Sequence, residues 1–225
     1  SKFEVKALFI MCLEHHFNDL VETVEKAGIE VLDVVASPIA ASIVNLTKTQ
    51  KIAGCVLANI GSETVSVAVF ENNIPISLEI FPIGGIDITN DIALGLKISL
   101  EEAESLKIKF TSEQARSNKK LDEIIAARLS DIFELIENHL KKIGRSGLLP
   151  AGIILTGGGS GVEIIEGLAK NILKLPSKIA SVNYKRDGKI EKIKDASWSV
   201  AYGLCVWELI SRDENQINFK LPRIA

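Results

Sequence analysis

The chain has 225 residues, 47% of them apolar and 24% charged, with a net charge of −3 at neutral pH. That length holds one large domain or two small ones, with enough apolar residues for a real core. The slight acidity and the lack of any polybasic patch argue against a nucleic-acid binder and against direct membrane association by this chain. No apolar stretch reaches the ~20 residues that cross a bilayer. Glu14-His15-His16 follows the short run ALFIMCL where a signal peptide would carry small residues. Cys12, Cys55 and Cys205 lie far apart in apolar surroundings and read as buried thiols, not as a disulfide framework. Cys12 with His15 or His16 has a loose metal-like spacing but no second ligand pair. His139 stands alone on a charged helix and reads as exposed.

In chain order, residues 3–11 alternate and then turn wholly apolar, which predicts a strand. Phe17, Leu20, Val21 and Val24 share one face of a helix over 16–27, with Gly28 as its stop. IEVLDVVA predicts a second strand. Ser37-Pro38 opens a helix over 38–47, as N-cap and N1 proline. Three strands follow at 53–60, 64–71 and 74–82, and Asn72-Asn73 suits a two-residue hairpin turn. Gly84-Gly85 leads into a helix ending near Leu96, with Asp87 and Asp91 supplying capping and charge. Ser99 and Glu102 form a capping box for a helix to about Ile108. Residues 110–120 read as irregular. Ile125, Leu129, Ile132, Ile136, Leu140 and Ile143 then make the core stripe of a long helix over 121–143, stopped by Gly144. A buried strand at 151–156, a helix at 161–171, a short strand near 178–183 and a closing helix over 197–210 complete the chain. Trp198 and Trp207 on the last helix read as packing residues. Three meandering strands followed by helix–strand alternation predict an α/β mixed sheet of about five strands with helices on both faces.

Two glycine turns stand directly against strands. One is Asn59-Ile60-Gly61-Ser62-Glu63-Thr64, between CVLANI and TVSVAVF. The other is Thr156-Gly157-Gly158-Gly159-Ser160, after GIIL. Glycine lets backbone N–H groups approach phosphate or sugar without a Cβ in the way. A single such turn is weak evidence; two of them, about a hundred residues apart, suggest a nucleotide gripped from two sides.

The order of elements and these loops resemble the second lobe of the actin-like ATPases (ribonuclease H-like fold), and within them the bacterial cell-division family FtsA. The similar stretches are GCVLANIGSETVSVAVF, FPIGGIDITNDIALGLKISLEEAESLK, LPAGIILTGGGSGVEIIEGLAK and WSVAYGL. The resemblance implies that residues 1–36 are the end of a small IC-like domain. It makes 37–52 a linking helix of the first lobe, 53–97 with 121–210 the second-lobe ATPase domain, 98–120 a reduced outer subdomain, and 211–225 a tail. It implies that Asn59, Gly61, Ser62, Glu63 and Thr64 form the second phosphate loop, with Gly84 and Gly85 opening the next helix near the nucleotide. Glu104 and Lys107 would reach the ribose hydroxyls, and Gly157, Gly158 and Gly159 would form the adenosine loop. The implied cofactors are ATP and Mg²⁺, bound weakly by this chain. The implied partners are the FtsZ C-terminal peptide and further copies of the chain in filaments. The implied location is the cytoplasmic face of the cell membrane.

Three departures stand out. Asn59 occupies the position where the family's loop starts with Asp, so a charge that would hold hydrated Mg²⁺ or orient water is missing. The first lobe's opening phosphate hairpin is not in this sequence. Residues 110–120 are too few for the outer subdomain's small sheet. Residues 211–225 also show no amphipathic stripe of a membrane-binding helix. The expected activity is at most a weak ATPase in a nucleotide-binding scaffold, with no assigned catalytic residue. A pilus-assembly scaffold like PilM is the alternative. A sugar or acetate kinase of the same superfamily is disfavoured by Asn59 and the missing lobe.

Overall fold

The computed structural model describes residues 7–110, 119–186, 189–193 and 196–216. Helix α1 (Glu14–Lys26) ends where predicted, with Gly28 at φ 79° one residue past its C-cap. The strands expected on either side of it are not formed: among the described residues, 7–13 and 29–36 carry no ladder. An isolated strand has nothing to bond its amides to. Phe9 and Met11 are correspondingly 82% and 89% exposed. The expected strand–helix–strand piece is thus a helix with flanks of no regular structure, and residues 3–6 lie outside the described residues.

Helix α2 (Ser37–Asn45) carries its proline in the first turn, with Ala36 rather than Ser37 as N-cap. A short helix α3 (Lys48–Ala53) follows. The sequence reading has no separate helix there; Thr47 and Gln50 form a reciprocal capping box at its start.

Strands β1 (Cys55–Ile60), β2 (Val65–Glu71) and β3 (Ile74–Phe81) form the predicted antiparallel meander. Asn72 and Asn73 take φ of 52° and 66° in the β2–β3 turn, the left-handed pair that a two-residue hairpin requires. Helix α4 (Gly85–Leu96), helix α5 (Leu100–Phe110) and the 24-residue helix α6 (Lys119–Lys142) come next. The Ser99/Glu102 capping box is formed in both directions, at 3.1 and 3.2 Å. The irregular segment expected at 110–120 falls largely outside the described residues.

Strand β4 (Ile153–Thr156) pairs parallel with β1, then come helix α7 (Ile165–Leu173) and strand β5 (Ser177–Ile179). A separate hairpin of β6 (Val182–Arg186) and β7 (Lys189–Ile193) precedes helix α8 (Ser199–Gln216). That hairpin was not predicted, although Asp187-Gly188 between its strands is a turn signal.

The main sheet has five strands in the order β3-β2-β1-β4-β5. Alternate residues of β1 serve two cores. Val56, Ala58 and Ile60 meet Ile88 and Ile92 of α4, the Ile125–Leu140 stripe of α6 and Ile165 of α7. Cys55 and Leu57 face Ala41 of α2, with Val200 of α8 packed alongside. Residues 37–52 therefore pack against the same sheet as the elements after them. The two helices covering that second face cross at small residues: Gly203 lies so close to the Ala40 carbonyl that a Cβ would overlap it.

Several side chains depart from expectation. Cys55 is buried, but Cys12 and Cys205 are exposed. Trp198 is 58% exposed, whereas Trp207 donates from Nε1 to Asp33 at 3.1 Å. Asp87 caps α4 by accepting from Gly84 N–H at 2.8 Å. Asp91 instead takes a two-pronged bond from Arg128 of α6, at 2.6 and 2.9 Å. His139 is buried: its Nε2 lies 2.8 Å from Ser77 Oγ and its Nδ1 lies 3.5 Å from Glu79. It sits three residues beyond Ile136, on the buried stripe of α6, and that spacing could have revealed it.

Candidate nucleotide cleft

Strands β1 and β4 are parallel neighbours, so their carboxyl ends lie side by side, with Asn59 opposite Thr156. The two glycine turns leave from those ends and meet there, the position where open α/β sheets hold ligands. A cleft of about 540 Å³ opens between them, lined by Gly61, Ser62, Gly85, Glu104, Lys107, Gly158 and Gly159 together with apolar Ile88, Ile108 and Val162.

Each wall has a local cause. The β1–β2 turn is closed by Gly61 N–H donating to the Thr64 carbonyl at 2.9 Å. The first amides of α4 then bond back to that turn: Gly85 N–H to Gly61 O at 2.9 Å, and Ile86 N–H to Ser62 O at 2.8 Å. A helix N-terminus normally offers such groups to an anion; here the protein's own turn takes them. Gly84 permits the approach, since a Cβ there would run into the Ser62 backbone.

Opposite stand Glu104 and Lys107, one face of α5. The Lys107 ammonium donates to Gly85 O at 2.9 Å, to Thr89 Oγ1 at 2.7 Å and to Glu104 Oε2 at 2.7 Å. Those three acceptors match its three hydrogens. Lys107 is therefore a clasp between α5 and the first turns of α4. Thr89, whose hydroxyl also donates to Glu104 at 2.5 Å, was missed by sequence reasoning. Its only sequence signal is its place one turn after Gly85. Burial pushes the Glu104 carboxyl up, but the hydrogen bonds from Lys107 and Thr89 and the Lys107 charge outweigh it and hold its pKa below the usual value. Glu104 is the more exposed of the pair and keeps an ionised carboxylate at the cleft.

The second glycine turn divides its labour. Gly157 has φ 87°, and a Cβ on it would strike Asn59 Oδ1 and the Ile60 carbonyl. A Cβ on Gly159 would lie 2.5 Å from Ile60 Cγ2. Both glycines are required by packing. Gly158 differs: a Cβ there meets nothing within 4 Å. Five predicted site residues do not line the cleft. Asn59 lies beside Gly157, Glu63 and Thr64 are exposed on the turn, and Gly84 and Gly157 are occupied in packing. Among the described residues, no group of three or more His, Cys, Asp or Glu side chains could hold a metal ion, and no helix is long and apolar enough to cross a membrane.

Residues 56–203 match the family described as Cell division protein FtsA. The chain belongs to the FtsA family. It is 30% identical over 247 aligned positions to the Cell division protein FtsA of Bacillus subtilis, covering 100% of this chain and 54% of that protein. The FtsA of Pseudomonas aeruginosa is 28% identical over 92% of this chain and 55% of its own length. The chain thus spans about half the length of the curated FtsA relatives it matches. Among solved structures, MreB5 of Spiroplasma citri bound to ADP superposes with a TM-score of 0.73 at 16% identity, over 92% of this chain and 69% of that one. A PilM–PilN type IV pilus biogenesis complex superposes with a TM-score of 0.68 at 19% identity, over 85% of this chain and 57% of that one. At such identities the likeness is one of fold, and it places this FtsA-family chain in the actin-like ATPase fold.

Proposed function

We propose that this chain carries the nucleotide cleft of an FtsA-type cell-division scaffold that binds ATP with Mg²⁺, self-associates into filaments and tethers the FtsZ C-terminal peptide at the inner face of the cell membrane. One observation carries the nucleotide reading: Glu104, Gly158 and the turn residues Gly61 and Ser62 line one cleft. Its volume is in the range of small-molecule sites, and Gly158 leaves open the space that a sugar or base would fill. The MreB5 structure of the same fold was solved with ADP bound. Residues Gly61, Ser62, Gly158 and Gly159 would hold the nucleotide, with Glu104 as acceptor for its hydroxyls. With no carboxylate cluster among the described residues at the cleft, Mg²⁺ would be held chiefly by the phosphates, and Asn59 would leave hydrolysis slow.

Titration of the chain with a fluorescent ATP analogue, competed by unlabelled ATP and ADP, tests the reading. Saturable and competable binding supports it, and none at any concentration overturns it. Capture by an FtsZ C-terminal peptide, against a pilus-protein N-terminal peptide, separates the division scaffold from the PilM-like alternative, which rests on a likeness of fold.

A further inference from the structure

Behind the second glycine turn lies a polar cluster, buried at Thr156 and Ser199 and half-buried at Asn45, that none of the cleft residues accounts for. Thr156 is the last residue of β4 and directly precedes Gly157. Its side chain is fully buried. Asn45, the last residue of α2, donates from Nδ2 to Thr156 Oγ1 at 3.3 Å. Thr156 Oγ1 lies 2.8 Å from Ser199 Oγ, at the first residue of α8. The Ser199 hydroxyl donates to Asn45 Oδ1 at 3.3 Å. The single Thr156 hydroxyl proton has two acceptors in reach, Ser199 Oγ and the Ala196 carbonyl at 3.2 Å; given to Ser199 it closes a ring in which each of the three side chains donates once and accepts once. The Ala196 carbonyl lies beside it, 3.2 Å from Thr156 Oγ1, and accepts from Gly157 N–H at 3.3 Å.

We propose that Thr156 is a positioning residue for the nucleotide: its hydroxyl, locked to Asn45 and Ser199, sets the entry of the Gly157–Gly159 turn and ties occupancy of the cleft to the packing of α2 and α8 on the far face of the sheet. The inference rests on the nucleotide reading above. The physical argument is one of placement. The turn has to leave β4 at a left-handed glycine, and the group fixing its direction on the strand side is the Thr156 hydroxyl. A strand needs no buried hydroxyl at its end, and an apolar residue would serve packing alone at least as well. The three donors come from three elements distant in sequence, so the ring forms only when α2, β4 and α8 are docked together. Trp198 directly precedes Ser199 in the chain, which makes its emission a reporter for movement of that segment.

The test uses the full chain and an adenine nucleotide as probe. Thr156→Val keeps the shape and deletes the hydroxyl; Thr156→Ser restores it. The expected result is about tenfold weaker ADP binding in Thr156→Val, the size of one lost hydrogen bond in a positioned set. Recovery should follow in Thr156→Ser. ADP should also change Trp198 emission in a Trp207→Phe background, and Thr156→Val should abolish that change. Ser199→Ala is the second variant, should Thr156→Val fail to fold, and is expected to weaken binding in the same direction. Unchanged affinity in either folded variant overturns the inference while leaving the nucleotide reading intact. Equal losses in Thr156→Val and Thr156→Ser also overturn it, because packing and not the hydroxyl would then be at issue. Absence of ADP binding by the wild-type chain overturns both.

Discussion

Gly203 of α8 rests directly on the carbonyl of Ala40 in α2, with no room between them for a single methyl group. The obstacle is backbone on both sides, so no rotamer change relieves it. Gly203→Ala should force the two helices apart and cost about 3 kcal/mol, at the upper end of overpacking effects. For a chain of this size that corresponds to a fall on the order of 10 °C in Tm, read by circular dichroism. A variant that melts with the wild type would mean that α2 and α8 are not packed as described.

Gly158 and Gly159 are adjacent and should respond oppositely. Gly158→Leu projects into open space, so stability should hold within about 0.5 kcal/mol, as for a surface change. Nucleotide binding should fall at least about tenfold, or 1.4 kcal/mol. Gly159→Leu must displace the buried Ile60 side chain and should lower Tm as well. Paired melting and binding curves distinguish them. Full nucleotide affinity in Gly158→Leu would place the ligand elsewhere.

Glu104 and Lys107 divide ligand contact from structure. Glu104→Gln removes the cleft's carboxylate and should weaken nucleotide binding, with a small change in Tm since the side chain is partly exposed. Lys107→Met strands Gly85 O, Thr89 and Glu104 without their shared donor, and should cost about 1–3 kcal/mol of stability. Chemical denaturation of both variants checks the order. A larger stability loss in Glu104→Gln would reverse the assignment.

His139 gives the fold a pH dependence. Burial lowers its pKa below the usual 6.5, opposed by Glu79, which raises it, and aided by Lys142. The unfolded chain then binds more protons than the native chain between the two pKa values. Stability from this group is therefore complete above about pH 6.5 and is lost as the pH falls toward the native pKa. Melting temperatures measured from pH 7.5 to 5 should drop less steeply in His139→Gln than in the wild type. Parallel curves for the two proteins would show that His139 is not the linked group.

Much of this architecture is legible in sequence because its signals are local. The α6 stripe, the Asn72-Asn73 turn and the Ser99/Glu102 box each depend on residues within a few positions of one another. The strands expected around α1 fail for the opposite reason: alternation describes a face, but a strand exists only where another backbone accepts its hydrogen bonds. The cleft is partly legible. Gly61, Gly158 and Glu104 stand in motifs, and parallel pairing of β1 with β4 brings the two turns together. The motif alone does not show that Gly157 and Gly159 are also required by Asn59 and Ile60 beneath them. Thr156 stands at the head of the second glycine turn, but nothing in the sequence points to its partners, and Thr89, Asn45 and Ser199 carry no signal for theirs. Their partners are up to 154 positions away, and only the folded chain pairs them.

The bonds from Gly85 and Ile86 to the carbonyls of Gly61 and Ser62 have a mechanical consequence. The turn and the start of α4 are joined at two points, so they translate as one piece. Asp91 lies about one and a half turns further along α4 and is forked by Arg128 near the middle of α6, a helix about 36 Å long at 1.5 Å per residue. A shift of the turn is therefore passed through α4 and the Asp91–Arg128 fork into α6, whose Lys142 end lies about 21 Å from Arg128 at 1.5 Å per residue.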